Sequence, residues 1–247
     1  MQETRLIMGM PVTVDIRDAA ATPAILEEVF AYFTSVDERF STYKDTSEIM
    51  RINRGELDAS DASAEMKAVL ALSEQTREAT DGYFDIHRAD GSCDPSGLVK
   101  GWAIRGAARI LDARGMRNYF VDAGGDIATA GQAEPGRAWH VGIKNPFNQT
   151  EVVKAVALSG QGIATSGNYI RGDHIYNPRV GHQPAREVVS LTVIGPDVYE
   201  ADRFATAAYA MGTAGIAFIE RTPGLEGYQI ATDGTATMTS GFERYIV

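Results

Sequence analysis

Apolar residues recur every three or four positions in several stretches of the chain, which is the spacing of amphipathic helices. The clearest stretch runs from Pro23 to Phe40, where proline suits the first turn and Ile25, Val29 and Phe33 share one face. Asp197, followed three residues later by Glu200, predicts a capped helix that ends near Gly212. The same spacing predicts further helices over Ser47–Asn53, Ser60–Thr80, Ala103–Gly115 and Ala214–Glu220.

β-branched and aromatic residues bounded by turn residues predict the strands. The first predicted strand, Leu6 to Ile16, contains Gly9 and Pro11, which indicate a bulge near its start. Strands and helices that follow one another in this way predict a single α+β domain over residues 1–247, with a mixed β-sheet core and flanking helices. The other predicted strands are Asn118–Asp122, Asp126–Ala130, Trp139–Ile143, Val152–Leu158, Ile163–Thr165, Val188–Ile194, Tyr228–Ala231, Ala236–Thr239 and Glu243–Val247.

Composition narrows the class of protein. The chain of 247 residues carries a formal net charge of −10 and has no basic run, which argues against a nucleic-acid surface. No apolar stretch approaches the ~20 residues of a membrane span. Cys93 is the only cysteine, so the sequence gives no sign of an oxidising compartment. The first residues lack the apolar core of a signal peptide, and we expect a cytoplasmic protein unless a leader precedes this sequence.

The predicted helix after Asp197 carries the first candidate site. Asp202 and Thr206 are four residues apart and share one helix face, where a carboxylate and a hydroxyl offer two oxygens to a hard cation such as Mg²⁺. The same spacing is common on solvated helix faces, and a carboxylate near a helix N-terminus also compensates the helix dipole. Spacing alone leaves both readings open.

Two further stretches indicate close approach of a ligand to the backbone. Lys100 lies between Gly97 and Gly101 ahead of a predicted helix, which suggests an anion site, although a surface lysine near a turn fits equally. Neither a P-loop nor a dinucleotide-binding Gly-x-Gly-x-x-Gly motif is present. Asp126 follows a Gly-Gly pair that suits either ligand contact or a hairpin turn.

The order and spacing of seven short motifs resemble those of one family, the ApbE-type flavin transferases, also called FAD:protein FMN transferases. The resemblance covers nearly the whole chain. The motifs are Met8-Gly9-Met10, Arg39 to Asn53 with its Ser-Thr-Tyr and Ser-Glu-Ile segments, Thr80-Asp81-Gly82-Tyr83-Phe84-Asp85, Ser96-Gly97-Leu98-Val99-Lys100-Gly101, Ala123-Gly124-Gly125-Asp126, Ala164-Thr165-Ser166-Gly167, and Ala201-Asp202 through Ala205-Thr206.

The resemblance implies a fold and a chemistry. It implies a duplicated, T-fold-like α+β architecture, with FAD as substrate and Mg²⁺ at its pyrophosphate. A Ser or Thr hydroxyl of an acceptor flavoprotein would take FMN, and AMP would leave. The implied metal ligands are Asp202, Thr206 and the carbonyl of Ala164, and the implied general base is His174. The implied flavin and phosphate contacts are Met8, Tyr43, Asp81, Lys100, Asp126, Ser166 and Gly167.

The chain departs from the family pattern at two positions beside the histidine motif. Asn177 and Val180 stand where the family usually has Asp and Thr, and Asn keeps the shape and hydrogen bonding of Asp without its charge. Two alternatives therefore stay open beside the transferase. One is Mg²⁺-dependent hydrolysis of FAD to FMN and AMP, and the other is a protein that binds FAD without chemistry.

Overall fold

The computed structural model describes residues 1–168, 175–181, 183–184 and 186–247. Within these ranges the α-helices are Pro23–Phe40 (α1), Glu48–Asn53 (α2), Ala64–Ala79 (α3), Ser96–Ala113 (α4), Val198–Ala210 (α5) and Gly215–Arg221 (α6). The strands are Gln2–Ile7 (β1), Met10–Ile16 (β2), Tyr119–Ala123 (β3), Asp126–Ala130 (β4), Trp139–Asn145 (β5), Asn148–Leu158 (β6), Gly162–Gly167 (β7), Tyr176–Asn177 (β8), Gln183–Pro184 (β9), Val188–Gly195 (β10), Glu226–Ala231 (β11) and Ala236–Met238 (β12).

The main sheet has eight strands in the order β1-β2-β3-β4-β7-β10-β11-β12. The α+β class with flanking helices is confirmed, but the prediction of a mixed sheet is wrong, since every recorded pairing between described strands is antiparallel. The helical segment from α1 to α4 returns the chain beside β2 in the opposite direction, so β2 and β3 also pair antiparallel. Hairpins β5–β6 and β8–β9 form separate sheets.

The N-terminal segment is a hairpin and not the single bulged strand that the sequence predicts. β1 and β2 pair in register from Gln2 opposite Asp15 to Ile7 opposite Met10. Met8 and Gly9 form the connection with φ of 56° and 71°, the left-handed pair of a two-residue type I′ turn. Met8 therefore lies in a turn, whereas the sequence predicts it within a strand.

The helices cover one side of the sheet, and the apolar core lies between the helices and the sheet. The largest apolar cluster joins α1, α3 and α4 to β2 and β3, with Val14, Phe33 and Leu111 fully buried. A second cluster packs α5 against β7 and β10 through Ala201, Ala205 and the other small residues of its inner face. Helices α4 and α5 lie side by side, so their facing residues meet beside β7.

Most predicted helices form with nearly the predicted bounds, but α4 begins at Ser96 instead of Ala103, and two other segments also differ. Helix α3 begins at Ala64 because the Ser63 side chain accepts from the Met66 amide, and Ala59–Asp61 is a separate 3₁₀ turn. The predicted last strand, Glu243–Val247, overlaps the 3₁₀ turn Phe242–Tyr245, whose first residue Phe242 is buried. Among the described residues, no helix combines the length and apolar character needed to cross a bilayer.

Candidate functional site

A polar cleft lies where α4, α5 and β7 meet. Its volume is about 120 Å³, and its floor is formed by Lys100, Asp202 and Thr206. The segment before α4 and the segment around β8 complete the wall. The other lining residues are Tyr83, Phe84, Asp85, Asp94, Ser96, Gly97, Gly124, Thr165, Ser166, Gly167, Ile175, Tyr176 and Pro178. We refer to this site as the polar cleft.

Helix α5 brings Asp202 and Thr206 to the polar cleft, as their spacing predicts. The helix starts at Asp197, whose side chain accepts from the Glu200 amide at 2.9 Å. The Glu200 carboxylate pairs with Arg203 at 2.6 Å. The helix therefore has the Asp197 N-cap, but the described contacts do not include the second half of a capping box, a bond from the Asp197 amide to Glu200. Asp202 is only 2% exposed, and its Oδ2 accepts from the Gly101 amide at 2.7 Å.

Gly101 allows α4 to approach α5 closely enough for that hydrogen bond. A Cβ at this position would lie 2.7 Å from Cβ of Asp202 and 2.9 Å from the Val198 carbonyl oxygen. Both distances are shorter than van der Waals contact, so a side chain here would push the two helices apart. The glycine after Lys100 therefore serves helix packing, since the position lies within α4.

Lys100 lies inside α4, which corrects the prediction that it precedes the helix as part of an anion-binding N-terminus. Its Nζ lies 2.6 Å from Oδ2 of Asp126 and 3.6 Å from Oδ1 of Asp202. Burial raises the pKa of Asp202 to about 7; Lys100 opposes this rise, and Asp126 adds to it. Two buried carboxylates therefore flank the Lys100 ammonium group, and of the two only Asp202 lines the polar cleft.

Three oxygens that carry no negative charge belong to residues that line the same cleft as Asp202. The Thr206 hydroxyl donates to the Gly97 carbonyl at 3.3 Å and lies 3.5 Å from the Ser166 hydroxyl. Together with the Asp202 carboxylate these groups form an oxygen-only donor set, which suits a hard cation. Among the described residues no group of three or more His, Cys, Asp or Glu side chains is placed to hold a metal. The donor set thus differs from a nitrogen or sulfur site of the zinc type.

The carbonyl next to Thr206 belongs to Gly97, whereas the resemblance implies the carbonyl of Ala164. Ala164 is fully buried in β7 opposite Val193 of β10 and does not line the polar cleft. The Thr165 amide points to Asp126 on β4, so the alternating backbone directs the Ala164 carbonyl the other way, toward β10. Sequence reasoning included Gly97 in a motif but gave it no role, because its proximity to Thr206 depends on tertiary packing.

The remaining predicted site residues fall into three groups. Ser166 and Gly167 line the polar cleft at the end of β7. Met8 lies in the β1–β2 turn, Asp81 is exposed after α3, and Tyr43 is 95% exposed in the loop after α1. These three do not line the polar cleft. His174 lies outside the described residues, so its predicted role stays a prediction.

Asn177, which stands where the family usually has Asp, keeps a local capping role. The Asn177 side chain accepts from the Arg179 amide at 2.9 Å and caps the short 3₁₀ turn Pro178–Val180. Asparagine and aspartate oxygens can both accept that bond. The guanidinium of Arg179 then stacks over Tyr83 at 4.9 Å, which joins this turn to the opposite wall of the cleft. The loss of charge at position 177 therefore leaves this local turn intact.

A second and larger cavity adjoins the polar cleft. Its volume is about 780 Å³, and the two spaces share Gly124 and Thr165 in their walls. Strands β2, β3 and β4 form one side and strand β5 the other, where Trp139 meets Phe120 edge to face at 5.2 Å. Cavities of ~300–1,000 Å³ are typical of small-molecule sites, so this space is large enough for a nucleotide-sized group.

Comparison with known proteins assigns the chain to a family. The model described as "ApbE family" matches residues 8–90 and 87–229. "FAD:protein FMN transferase" of Salmonella typhimurium is 31% identical over 155 residues, which cover 59% of this chain and 44% of that protein. The Escherichia coli K12 protein of the same name is 28% identical over 193 residues, covering 74% and 54%. The matched region thus spans about half the length of these curated relatives.

Solved structures share the fold. "Flavin Transferase ApbE from Vibrio cholerae" superposes with a TM-score of 0.86 at 23% identity, covering 99% of this chain and 98% of that one. The ApbE protein of Thermotoga maritima gives a TM-score of 0.87 at 22% identity, covering 99% and 98%. At this identity the superpositions establish the architecture and leave the chemistry to be argued from the residues of the cleft.

Proposed function

The chain belongs to the ApbE family, and on that premise we propose that it is a Mg²⁺-dependent FAD:protein FMN transferase. It would move FMN from FAD to a Ser or Thr hydroxyl of an acceptor flavoprotein. The observation that carries this proposal is that Asp202, Thr206 and Gly97 line one polar cleft, which shares wall residues with a nucleotide-sized cavity. The curated relatives named as FAD:protein FMN transferases support it.

In this proposal Mg²⁺ would be held by oxygens of Asp202, Thr206 and Gly97, with phosphate oxygens and water completing its shell. Bound there, the cation would neutralise charge on the pyrophosphate and on the departing AMP. The Ala164 carbonyl is a less suitable ligand because of its direction toward β10. The Ser166 hydroxyl lies 3.5 Å from Thr206 Oγ1 and is placed to donate to a phosphate oxygen.

The two joined spaces suit a dinucleotide substrate. The polar cleft, at about 120 Å³, is small for FAD, and the adjoining cavity of about 780 Å³ offers room for one of its ring-bearing halves. Gly124 and Thr165 lie at the junction of the two spaces. We place the pyrophosphate in the polar cleft, with the chain of FAD passing that junction.

The transfer step exchanges one phosphorus–oxygen bond for another. The acceptor hydroxyl oxygen bonds to the FMN phosphorus, and the bond from that phosphorus to the bridging oxygen of AMP breaks. The hydroxyl proton passes to a general base, and AMP leaves with the bridging oxygen and its electron pair. His174 is our candidate base on the resemblance alone. Water in place of the acceptor hydroxyl would give FMN and AMP, which is the hydrolytic alternative.

The Asp202→Asn variant tests the metal assignment. We expect AMP release from FAD in the presence of Mg²⁺ to fall by roughly 10²-fold or more, because the charged metal ligand is lost. Asn retains an oxygen that can accept from the Gly101 amide, so folding should survive, unlike in an Ala variant that leaves this buried amide unpaired. AMP is quantified by chromatography, and folding is checked by circular dichroism.

Glu200→Gln on the same helix is the matched control for this measurement. Glu200 pairs with Arg203 and does not line the polar cleft, so its charge loss should leave AMP release unchanged. Full Mg²⁺-dependent turnover by a folded Asp202→Asn protein would disprove the metal assignment.

A further inference from the structure

Strands β4 and β7 separate beside the polar cleft, and the Asp126 side chain spans the gap. The recorded pairing consists of Ile127 opposite Ile163 and Ala128 opposite Gly162. One residue nearer the cleft, Oδ1 of Asp126 accepts from the Thr165 amide at 3.0 Å. The carboxylate therefore replaces a backbone acceptor at the point where the strands part.

The other oxygen of Asp126 fixes the ammonium group of the cleft. Oδ2 lies 2.6 Å from Lys100 Nζ, while Asp202 Oδ1 lies 3.6 Å from the same nitrogen. Asp126 is 2% exposed and lines the larger cavity rather than the polar cleft. Lys100 thus leans toward Asp126, although both carboxylates are within its reach.

We propose that Asp126 is a positioning residue that holds the Lys100 ammonium away from Asp202 and so keeps Asp202 Oδ1 available to a divalent cation. This inference rests on the proposed metal site. A lysine ammonium is a point charge on a flexible stem, and Asp202 is the next carboxylate along its path. Without Asp126, the lysine would pair with Asp202 and compete with the cation for the same oxygen.

The Asp126→Asn variant removes this restraint with little change in shape. The Asn oxygen can still accept from the Thr165 amide, which turns the –NH₂ group toward Lys100, where it cannot accept a hydrogen bond. We expect Mn²⁺, a hard cation visible by electron paramagnetic resonance, to bind about 10- to 100-fold more weakly than to wild type. The titration is done on the full chain without FAD.

The decisive comparison repeats the substitution in a Lys100→Met background. Without the ammonium there is nothing to release onto Asp202, so the penalty from Asp126→Asn should largely disappear. Lys100→Met alone should bind Mn²⁺ at least as tightly as wild type, because a competing cation has been removed. An equal penalty in both backgrounds, or weaker binding by Lys100→Met alone, would overturn the inference.

Asp122→Asn is the control for charge without contact. Asp122 precedes the same turn, and its side chain accepts from the Gly125 amide, so the variant removes a nearby negative charge without releasing Lys100. A loss as large as that of Asp126→Asn would assign the effect to net charge and contradict the positioning role. Failure of folded wild-type protein to bind Mn²⁺ would instead count against the proposed metal site.

Discussion

At the scale of single residues, the candidate site depends on contacts that a linear pattern shows only in part. The spacing of Asp202 and Thr206 predicts their common face, because both lie on one regular helix. The ion pair of Lys100 with Asp126 and the approach of Gly97 to Thr206 join residues far apart in the chain. Sequence reasoning therefore identified Lys100, Asp126 and Thr206 as candidates without identifying their partners, and it gave Gly97 no role.

Gly101 provides a test at this scale. Gly101→Ala should lower the free energy of unfolding by about 1–3 kcal/mol, because the added Cβ would lie 2.7 Å from Cβ of Asp202. Displacing Asp202 should also weaken Mn²⁺ binding, measured by paramagnetic resonance alongside urea denaturation. Gly106→Ala, in the same helix but crowded against Tyr32, should cost stability with little change in Mn²⁺ affinity. Unchanged Mn²⁺ binding by Gly101→Ala would contradict the packing account.

At the scale of secondary-structure elements, local signals predicted most boundaries well. Pro23 begins α1 and the Asp197 N-cap begins α5 where the sequence places them. The mixed sheet was predicted wrongly because strand direction depends on how the helical segment between β2 and β3 returns to the sheet. The sequence predicts a strand over Glu243–Val247, whereas most of this segment belongs to the 3₁₀ turn Phe242–Tyr245, which buries Phe242.

Asp18 joins the ends of two of these elements, and its lowered pKa predicts that the stability of the fold depends on pH. Its carboxylate accepts from the Arg117 amide at 3.0 Å and the Asn118 amide at 2.8 Å, joining the end of β2 to the start of β3. Partial burial opposes ionisation, but the Asn118 and Arg117 amides outweigh it and lower the pKa of Asp18 below its ordinary value of 3.8. The resulting stabilisation is present above pH 3.8 and is lost as the pH falls through the folded-state value.

Asp18→Asn should therefore be less stable than wild type at neutral pH, and the difference in unfolding free energy should shrink in acid. Urea denaturation across a pH series measures this difference. Asp45→Asn, an exposed carboxylate, is the matched control and should show little difference from wild type at any pH. A difference between wild type and Asp18→Asn that stays constant down to the acid limit would contradict the linkage.

At the scale of the whole molecule, the order of the motifs predicts the family and its fold, whereas the larger cavity depends on how the strands pack. Five of the seven motifs contribute residues to the wall of the polar cleft, and the Met8-Gly9-Met10 motif contributes to the wall of the larger cavity. The larger cavity was not predicted, because it arises where the β5–β6 hairpin stands off β2 to β4. Trp139 and Phe120 pack edge to face across this gap.

The proposal at this scale is that the polar cleft and the larger cavity act as one site for FAD. The most direct measurement incubates the protein with FAD, Mg²⁺ and an acceptor domain that carries a candidate flavinylation threonine. The acceptor is then examined by in-gel flavin fluorescence, and AMP is quantified in the same sample. A Thr→Ala acceptor controls for tightly bound but unattached flavin.

We predict a fluorescent acceptor, no label on its Thr→Ala form, and AMP in amounts that match the label. AMP and FMN without a labelled acceptor, across several threonine-bearing acceptors, would contradict transfer and establish hydrolysis. Bound FAD with neither product would contradict catalysis altogether.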